Sequence, residues 1–221
     1  MSGDLAIVSG KSLACFTPRR VEAMVDTAIS AVLGSPLDVK TESRFTEDGP
    51  FKGEVFIGIT RPRGITAGQI NSIEKIICCY MQPQPRAETV AQLGVLDSIT
   101  AKKGEDLSDL ELRIEVLAAK LGDYPADAVH VVLDRPRHWF PTWGILYDEL
   151  EAEVSRRRHI LRTVQSWKPW SDDDERDYLA GRLKDAKFYA KHYWHRDPVR
   201  AAAEAKQAVA IEAALAKLDR A

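Results

Sequence analysis

The stretch S-D-L-E-L-R-I-E-V-L-A-A-K-L, residues 108–121, decides the fold class. Ser108 and Glu111 form a capping-box pattern, in which two side chains satisfy each other's backbone N–H groups at a helix start. Behind them, apolar residues recur after four, three and four positions, which is the spacing of one face of an α-helix. These residues are Leu110, Ile114, Leu117 and Leu121. The stretch therefore predicts an amphipathic helix that packs against neighbouring helices.

Proline and capping signals mark further helices on both sides of this one. Thr17-Pro18 has the form of an N-cap followed by proline at the first helical position, and Gly34 marks where that helix ends. Ser171 followed by four acids, residues 172–175, predicts another start, because negative side chains are favourable at the positive end of the helix dipole. We therefore expect a mostly α-helical protein, arranged as a multi-helix bundle or an orthogonal array.

One region does not follow the helical pattern. Residues 37–64 are rich in Gly, Pro, Thr and charge, and they contain one apolar burst at residues 55–59. A structureless loop of this length inside a domain is unusual. We expect an irregular or β insertion here, with a short β segment around residues 53–60. The predicted organisation is a helical core domain over residues 1–164, followed by a long C-terminal helical extension over 165–221.

The composition is that of a globular chain in a reducing compartment. With 221 residues and 45% apolar content, a core can form without disulfides or metals, and the formal net charge of −2 argues against a globally basic nucleic-acid binder. The three cysteines, Cys15, Cys78 and Cys79, have neither disulfide nor zinc-ligand spacing, so we expect small buried residues. No run reaches the roughly 18 to 20 apolar residues of a membrane span, and we expect no membrane partner and a cytoplasmic protein.

The sequence contains no recognisable catalytic or cofactor motif. No serine lies in a Gly-x-Ser-x-Gly elbow, and no glycine-rich dinucleotide fingerprint is present. His192 and His195 are spaced to share a helix face, but no third metal ligand lies nearby in the sequence, so we expect surface histidines. We therefore expect a non-enzymatic protein with no cofactor and no metal site.

The C-terminal third combines cations with aromatic rings. Between Ser155 and Arg200, twelve basic residues stand against seven acidic ones, and five of those acids crowd the helix start at 172–177. The candidates for contact with nucleic acid are Arg156, Arg157, Arg158, Arg162, Lys184, Lys187 and Lys191. The candidate rings for contact with a partner are Trp167, Trp170, Tyr189, Tyr193 and Trp194.

Three interpretations of the 155–200 region are open. Proteins hold single-stranded nucleic acid by stacking bases on rings and by tracking phosphates with cations, which predicts single-stranded DNA as a partner. Alternatively, the region is a solvated helical face whose rings form a small core or bind a protein, since aromatic residues and arginine are favoured at binding hot spots. A third interpretation extends to the whole protein, which is then a structural or assembly component of a larger particle, with helical homo-oligomerisation as its function.

The segment Leu121–Leu150 resembles a known family. It reads L-G-D-Y-P-A-D-A-V-H-V-V-L-D-R-P-R-H-W-F-P-T-W-G-I-L-Y-D-E-L and is similar to the replicative-helicase loaders and inhibitors of phages and prophages. In that family an acid-Pro-x-x-Val helix is followed by a short spacer, a Phe-Pro turn and a second helix. Here Pro125 and Asp127 match the first helix, and Phe140-Pro141 matches the turn.

The resemblance implies both a structural role for this motif and a partner for the protein. Phe140 would fill the gap between two helices, and Pro141 would fix the entry into the second helix. The spacer departs from the family pattern, because it holds Pro136 and Trp139. Family members are small adaptors that bind the hexameric replicative helicase and deliver it to origin DNA. The resemblance thus implies a DNA-replication accessory protein of a bacterial host cell, with its partner contacts after Val164. The alternative of a structural or assembly component is then that of a phage particle.

Overall fold

The computed structural model describes residues 16–45, 49, 51–100 and 107–219, and within these ranges the fold is mostly α-helical, as predicted. The described residues form eight helices and one two-stranded sheet. In chain order, the elements are α1 (Pro18–Leu33), β1 (Val39–Phe45), β2 (Phe51–Ile59), α2 (Ala67–Cys79), α3 (Arg86–Ile99), α4 (Leu107–Leu121), α5 (Ala126–Leu133), α6 (Trp143–Ser166), α7 (Asp172–Tyr193) and α8 (Pro198–Leu218).

The helix ends follow the local sequence signals, with two corrections. Helix α4 begins at Leu107, so Ser108 of the predicted capping box lies inside its first turn. Helix α1 begins with Pro18 and ends at Gly34, whose φ of +70° is a left-handed conformation that glycine adopts readily. Thr17 is the N-cap residue, but its side chain makes no capping hydrogen bond, and its carbonyl accepts the first helical N–H groups instead. At α7 the cap is complete, because Ser171 and Asp174 form a reciprocal capping box.

The region predicted as an irregular or β insertion contains a β-hairpin. Strands β1 and β2 pair antiparallel, with Val39 opposite Ile59 and Glu42 opposite Val55. The pairing is irregular at two places, between Lys40 and Thr41 and again between Arg44 and Phe45. The short β segment expected around residues 53–60 therefore corresponds to strand β2, where the apolar burst lies.

The described residues divide into two compact units. The first unit contains the described residues up to Arg61 together with Gly68–Trp167, and helix α5 contacts α1, α3 and α6 within it. Every residue of α5 except His130 and Val131 is buried, which explains why this eight-residue helix is almost wholly apolar. Leu93, Leu117, Leu146 and Leu150 pack around it in one continuous core.

The second unit contains Pro62–Ala67 together with the described residues from Lys168 onward, and most of it is a helical hairpin. Helices α7 and α8 run antiparallel, since Arg176 near the start of α7 pairs with Asp219 at the end of α8. On each helix, one row of buried or half-buried positions alternates by three and four residues, the pattern of a coiled-coil seam. On α7 these are Arg176, Leu179, Leu183, Ala186, Ala190 and Tyr193, and on α8 they are Ala201, Glu204, Ala208, Ile211, Leu215 and Leu218.

The structure also bears on the predictions about membrane spans and about the burial of the cysteines. In the part of the chain that the structure describes, we find no helix both long and apolar enough to cross a membrane. The expectation of buried cysteines is wrong for Cys78, which is exposed, while Cys79 is half-buried and Cys15 lies outside the described residues. Cys78 follows the buried pair Ile76-Ile77 and falls on the opposite side of α2.

Candidate binding site on the helical hairpin

Four rings lie together near the end of helix α7, and we call them the ring cluster. The rings of Phe188 and His192 stack with an interplanar angle of 10° and centroids 5.8 Å apart, and those of Tyr189 and Tyr193 stack at 20° and 6.0 Å. Both pairs are four residues apart, which places each pair on one side of the helix. Edge-on contacts between Phe188 and Tyr189, with centroids 5.4 Å apart, and between His192 and Tyr193, at 5.2 Å, join the two stacks.

The ring cluster is open to solvent and carries a cation. Phe188 is 61% exposed and Tyr189 is 41% exposed, whereas Tyr193 is half-buried because it belongs to the hairpin seam. The guanidinium carbon of Arg200, at the start of α8, lies 4.1 Å from the centroid of the Tyr193 ring. A cation over an aromatic face is attracted by the ring quadrupole, so this contact holds a positive charge beside the exposed rings.

The other predicted ring residues lie elsewhere. Trp194 is 67% exposed and lines a separate cleft with Lys191. Trp170 lies at the start of the hairpin, where its indole Nε1 donates to Glu175 Oε2 at 3.1 Å. Trp167 is half-buried and belongs to the first unit. The structure thus brings two of the predicted rings, Tyr189 and Tyr193, into contact. Their neighbours Phe188 and His192 were not among the predicted candidates.

The segment Pro62–Ala67 contacts the beginning of α7. Arg63 forms a two-pronged hydrogen-bonded ion pair with Glu175, and its guanidinium carbon lies 4.4 Å from the centroid of the Tyr178 ring. The hydrogen bond from Arg63 lowers the pKa of Glu175 below its usual range. The backbone N–H of Trp170 also donates to the carbonyl of Ile65 at 2.8 Å. These contacts fix the acidic start of the hairpin.

The predicted basic surface is corrected at Arg157. This side chain is fully buried in the first unit, where its two terminal nitrogens donate to the two carboxylate oxygens of Asp127 at 3.0 and 2.7 Å. Nη1 also donates to the carbonyl of Tyr80 at 2.8 Å. Asp127 is equally buried, so this is an internal ion pair. Arg157 is therefore not available on a surface for contact with nucleic acid.

The remaining predicted cations fall into two groups. In the first unit, Arg156 pairs with Asp26 and Arg158 pairs with Glu151, whereas Arg162 is exposed. In the second unit, three exposed lysines lie on α7. Among the described residues, Lys187 forms an ion pair with Glu212, and no ion pair is found for Lys184 or Lys191. The three lysines lie on one face of α7, whereas the predicted arginines lie on α6, in the first unit.

The residues that carry the family resemblance support the first unit's core. Pro125, Asp127 and Pro141 are buried, and Phe140 is half-buried against the core cluster, with the Arg113 guanidinium 4.4 Å from its ring centroid. An ion-pair network of Arg135 and Arg137 with Glu149 ties the spacer to α6. The hydrogen bond from Arg137 lowers the pKa of Glu149. Phe140 thus packs against the core of the first unit, and the gap-filling role that the resemblance implies stays a prediction.

No family model, curated protein or solved structure matches the chain. Its candidate site is therefore defined by its own geometry. Within the described ranges, no group of three or more His, Cys, Asp or Glu side chains is arranged to hold a metal ion. The candidate site that remains is the hairpin, with its ring cluster and its row of lysines.

Proposed function

We propose that this protein is a non-enzymatic adaptor in phage or prophage DNA replication, a helicase loader or related accessory protein that binds its partner through the ring cluster. One observation carries the proposal: Phe188 and Tyr189 lie side by side and exposed, outside the seam that holds the hairpin together. Adjacent exposed aromatic side chains are typical of binding surfaces, where a few rings contribute most of the affinity.

The partner class comes from the resemblance of residues 121–150 to replicative-helicase loaders. The matched residues Pro125, Asp127 and Pro141 are buried, so they support the fold and leave partner contacts to another part of the chain. The hairpin follows Val164, which is where the resemblance implies that a helicase would bind. Both considerations favour the ring cluster as the contact.

Binding to the purified replicative helicase of the host bacterium tests the proposal. We expect the full chain to bind in biolayer interferometry, and the double substitution Phe188→Ala with Tyr189→Ala to weaken binding at least about tenfold, because each aromatic hot spot contributes more than about 1 kcal/mol. Tyr147→Ala is the matched control, since Tyr147 is 45% exposed but lies on α6 in the other unit. It should leave the affinity unchanged.

Two results would contradict this proposal. One is a wild-type protein that does not bind the helicase even at about 100 µM, a concentration at which weak transient complexes still form. The other is binding that the control variant weakens as much as the ring-cluster variant. Circular dichroism of each variant shows whether its helices are retained.

Binding of single-stranded DNA is a second candidate function, favoured by the closeness of exposed rings and exposed lysines on α7. Fluorescence anisotropy with labelled oligothymidine should then show an affinity that falls steeply with salt. Lys184→Ala with Lys191→Ala should reduce the slope of log affinity against log salt by about 0.7 for each phosphate that is no longer bound. Lys75→Ala, at an exposed lysine of α2, is the control, and an equal effect of both variants would exclude this surface.

A further inference from the structure

Helix α7 carries a second regular row of residues beside its seam. The row alternates by four and three residues, so it runs straight along the helix, and every member is exposed. The members are Asp173, Asp177, Ala180, Lys184, Lys187, Lys191 and Trp194. The row is therefore acidic at the start of α7 and basic toward its end.

Helix α8 carries a matching row on the same side of the hairpin. Its exposed members are Ala202, Ala205, Val209, Glu212 and Ala216, which are mostly apolar. Lys187 Nζ of the first row lies 2.7 Å from Glu212 Oε1 of the second. An open cleft of about 550 Å³ is also lined by Lys191 and Trp194 together with Ala202 and Ala205. The two rows thus form one continuous surface, which we call the lateral face.

The order of charges makes the lateral face complementary to itself. Asp173 lies nine residues before position 182 and Lys191 lies nine residues after it. In the same way, Asp177 lies five residues before this position and Lys187 lies five residues after it. A two-fold rotation at that position therefore places each acid of one hairpin opposite a lysine of another. We propose that the lateral face is the interface of a homodimer, in which two hairpins pack antiparallel through these residues. An interface in which one patch meets its own copy is the commonest form of oligomer contact.

The size and composition of the lateral face fit a second copy. The 22 residues of α7 span about 33 Å, and two packed helices are about 20 Å wide, so each copy would bury about 650 Å². The total of about 1,300 Å² is at the lower end of the range for specific complexes. Trp194 and Val209 are 67% and 66% exposed and would supply the apolar contacts. The small alanine side chains let helices approach closely.

This inference goes beyond the proposed adaptor function and uses different residues. None of the ring-cluster residues is a member of the two rows, although Phe188 borders them, because it is a helical neighbour of Lys184 and Lys191. The lysines, however, would be occupied by the second copy. Dimerisation and binding of single-stranded DNA are therefore competing uses of the same lysines.

Sedimentation equilibrium of the full chain tests the dimer directly. We expect a monomer–dimer equilibrium with a micromolar dissociation constant, weakened about tenfold by high salt because exposed charges are screened. Lys187→Glu with Lys191→Glu should weaken the dimer at least about tenfold, since attraction becomes repulsion at both ends of the interface. Asp173→Lys with Asp177→Lys should weaken it similarly. Combining all four substitutions should restore most of the association, because only the pair of Lys187 with Glu212 within each copy then stays reversed.

Controls separate this interface from a general effect of charge. Arg182→Glu with Lys217→Glu makes the same charge change at exposed positions off the lateral face, and it should leave the dimer unchanged. An equimolar mixture of the two weakened variants should form heterodimers, which repeats the restoration without a fourfold variant. The proposal is overturned by a wild-type chain that stays monomeric at about 100 µM in low salt. It is equally overturned if the charge reversals have no effect, or if neither the combination nor the mixture restores association.

Discussion

Removing the buried carboxylate of Asp127 should destabilise the first unit strongly. Asp127→Ala leaves the Arg157 guanidinium fully buried, with the Tyr80 carbonyl as its remaining hydrogen-bond partner and with Glu22 as a more distant negative charge. Breaking a buried ion pair from one side costs about 3–5 kcal/mol, because a charge stays desolvated without its counter-charge. Domains are typically stable by only about 5–15 kcal/mol, so this single change removes a large share.

Urea unfolding followed by tryptophan fluorescence and circular dichroism measures this effect. With a slope of about 2 kcal/mol per molar urea, a loss of about 4 kcal/mol lowers the midpoint by about 2 M. Replacing both partners with apolar residues, Asp127→Leu with Arg157→Met, should be much less harmful than either single change, because no charge is then buried. Glu115→Ala is the control, since Glu115 pairs with Arg86 at a site where both side chains are more than half exposed, and it should cost less than about 1 kcal/mol.

The reasoning would be refuted by either of two outcomes. Asp127→Ala could lower the free energy of unfolding by less than about 1 kcal/mol, the range of an exposed pair. Alternatively, the double apolar variant could be as unstable as the sum of the two single variants, which would mean that the two side chains contribute independently.

Three further predictions concern stability. The hydrogen bond with Arg137 lowers the pKa of Glu149, so the ionised carboxylate stabilises the fold at neutral pH, and this contribution is lost as the pH falls below the pKa of an unperturbed glutamate. Glu149→Gln should therefore lower the free energy of unfolding at pH 7. It should also reduce the loss of stability between about pH 5 and 3, measured by urea unfolding at each pH. Ser171→Ala removes half of the α7 capping box and should cost about 1 kcal/mol by thermal unfolding, whereas Ser171→Asp should retain most of the stability. Gly34→Ala meets no atom within 4 Å but forces a left-handed φ of +70° on alanine, so it should cost about 1 kcal/mol in the same assay, and an unchanged melting temperature would contradict this explanation.

The helices were predictable because their ends carry local signals, whereas the role of Arg157 was not. The buried face of α6 runs through Leu146, Leu150 and Val154 and continues through Arg157 to Ile160. Arg157 was assigned to a surface together with the other cations between Ser155 and Arg200. The available signal was its place in the buried row, together with an aspartate inside the otherwise apolar helix α5. Only the tertiary packing shows that these two residues pair.

The candidate binding site was predictable in type but not in arrangement. Rings and cations at residues 184–194 indicated a binding surface, yet helical spacing alone divides them between two sides of α7. Tyr189 and Tyr193 lie toward one side and Lys187 and Trp194 toward the other, with Phe188 between them, next to Lys184 and Lys191 at helical spacing. Helix α8 carries alanines both at its seam and at exposed positions. Its hydrophobic pattern therefore does not show which side of α8 packs against α7. The lateral face could be recognised only after that pairing was known.

The contribution of Pro62–Ala67 to the hairpin unit determines where this chain can be shortened. Ile65 is only 3% exposed, and its carbonyl accepts the Trp170 N–H, while Arg63 pairs with Glu175 across 112 positions of sequence. A truncated chain ending before Lys168 would leave Ile65 and Arg63 without these partners, and a peptide starting at Lys168 would lack the segment itself. Loss of binding in such a fragment would therefore have two explanations, damaged folding or removal of a binding residue. Point substitutions on an intact chain are therefore the means of mapping its surfaces.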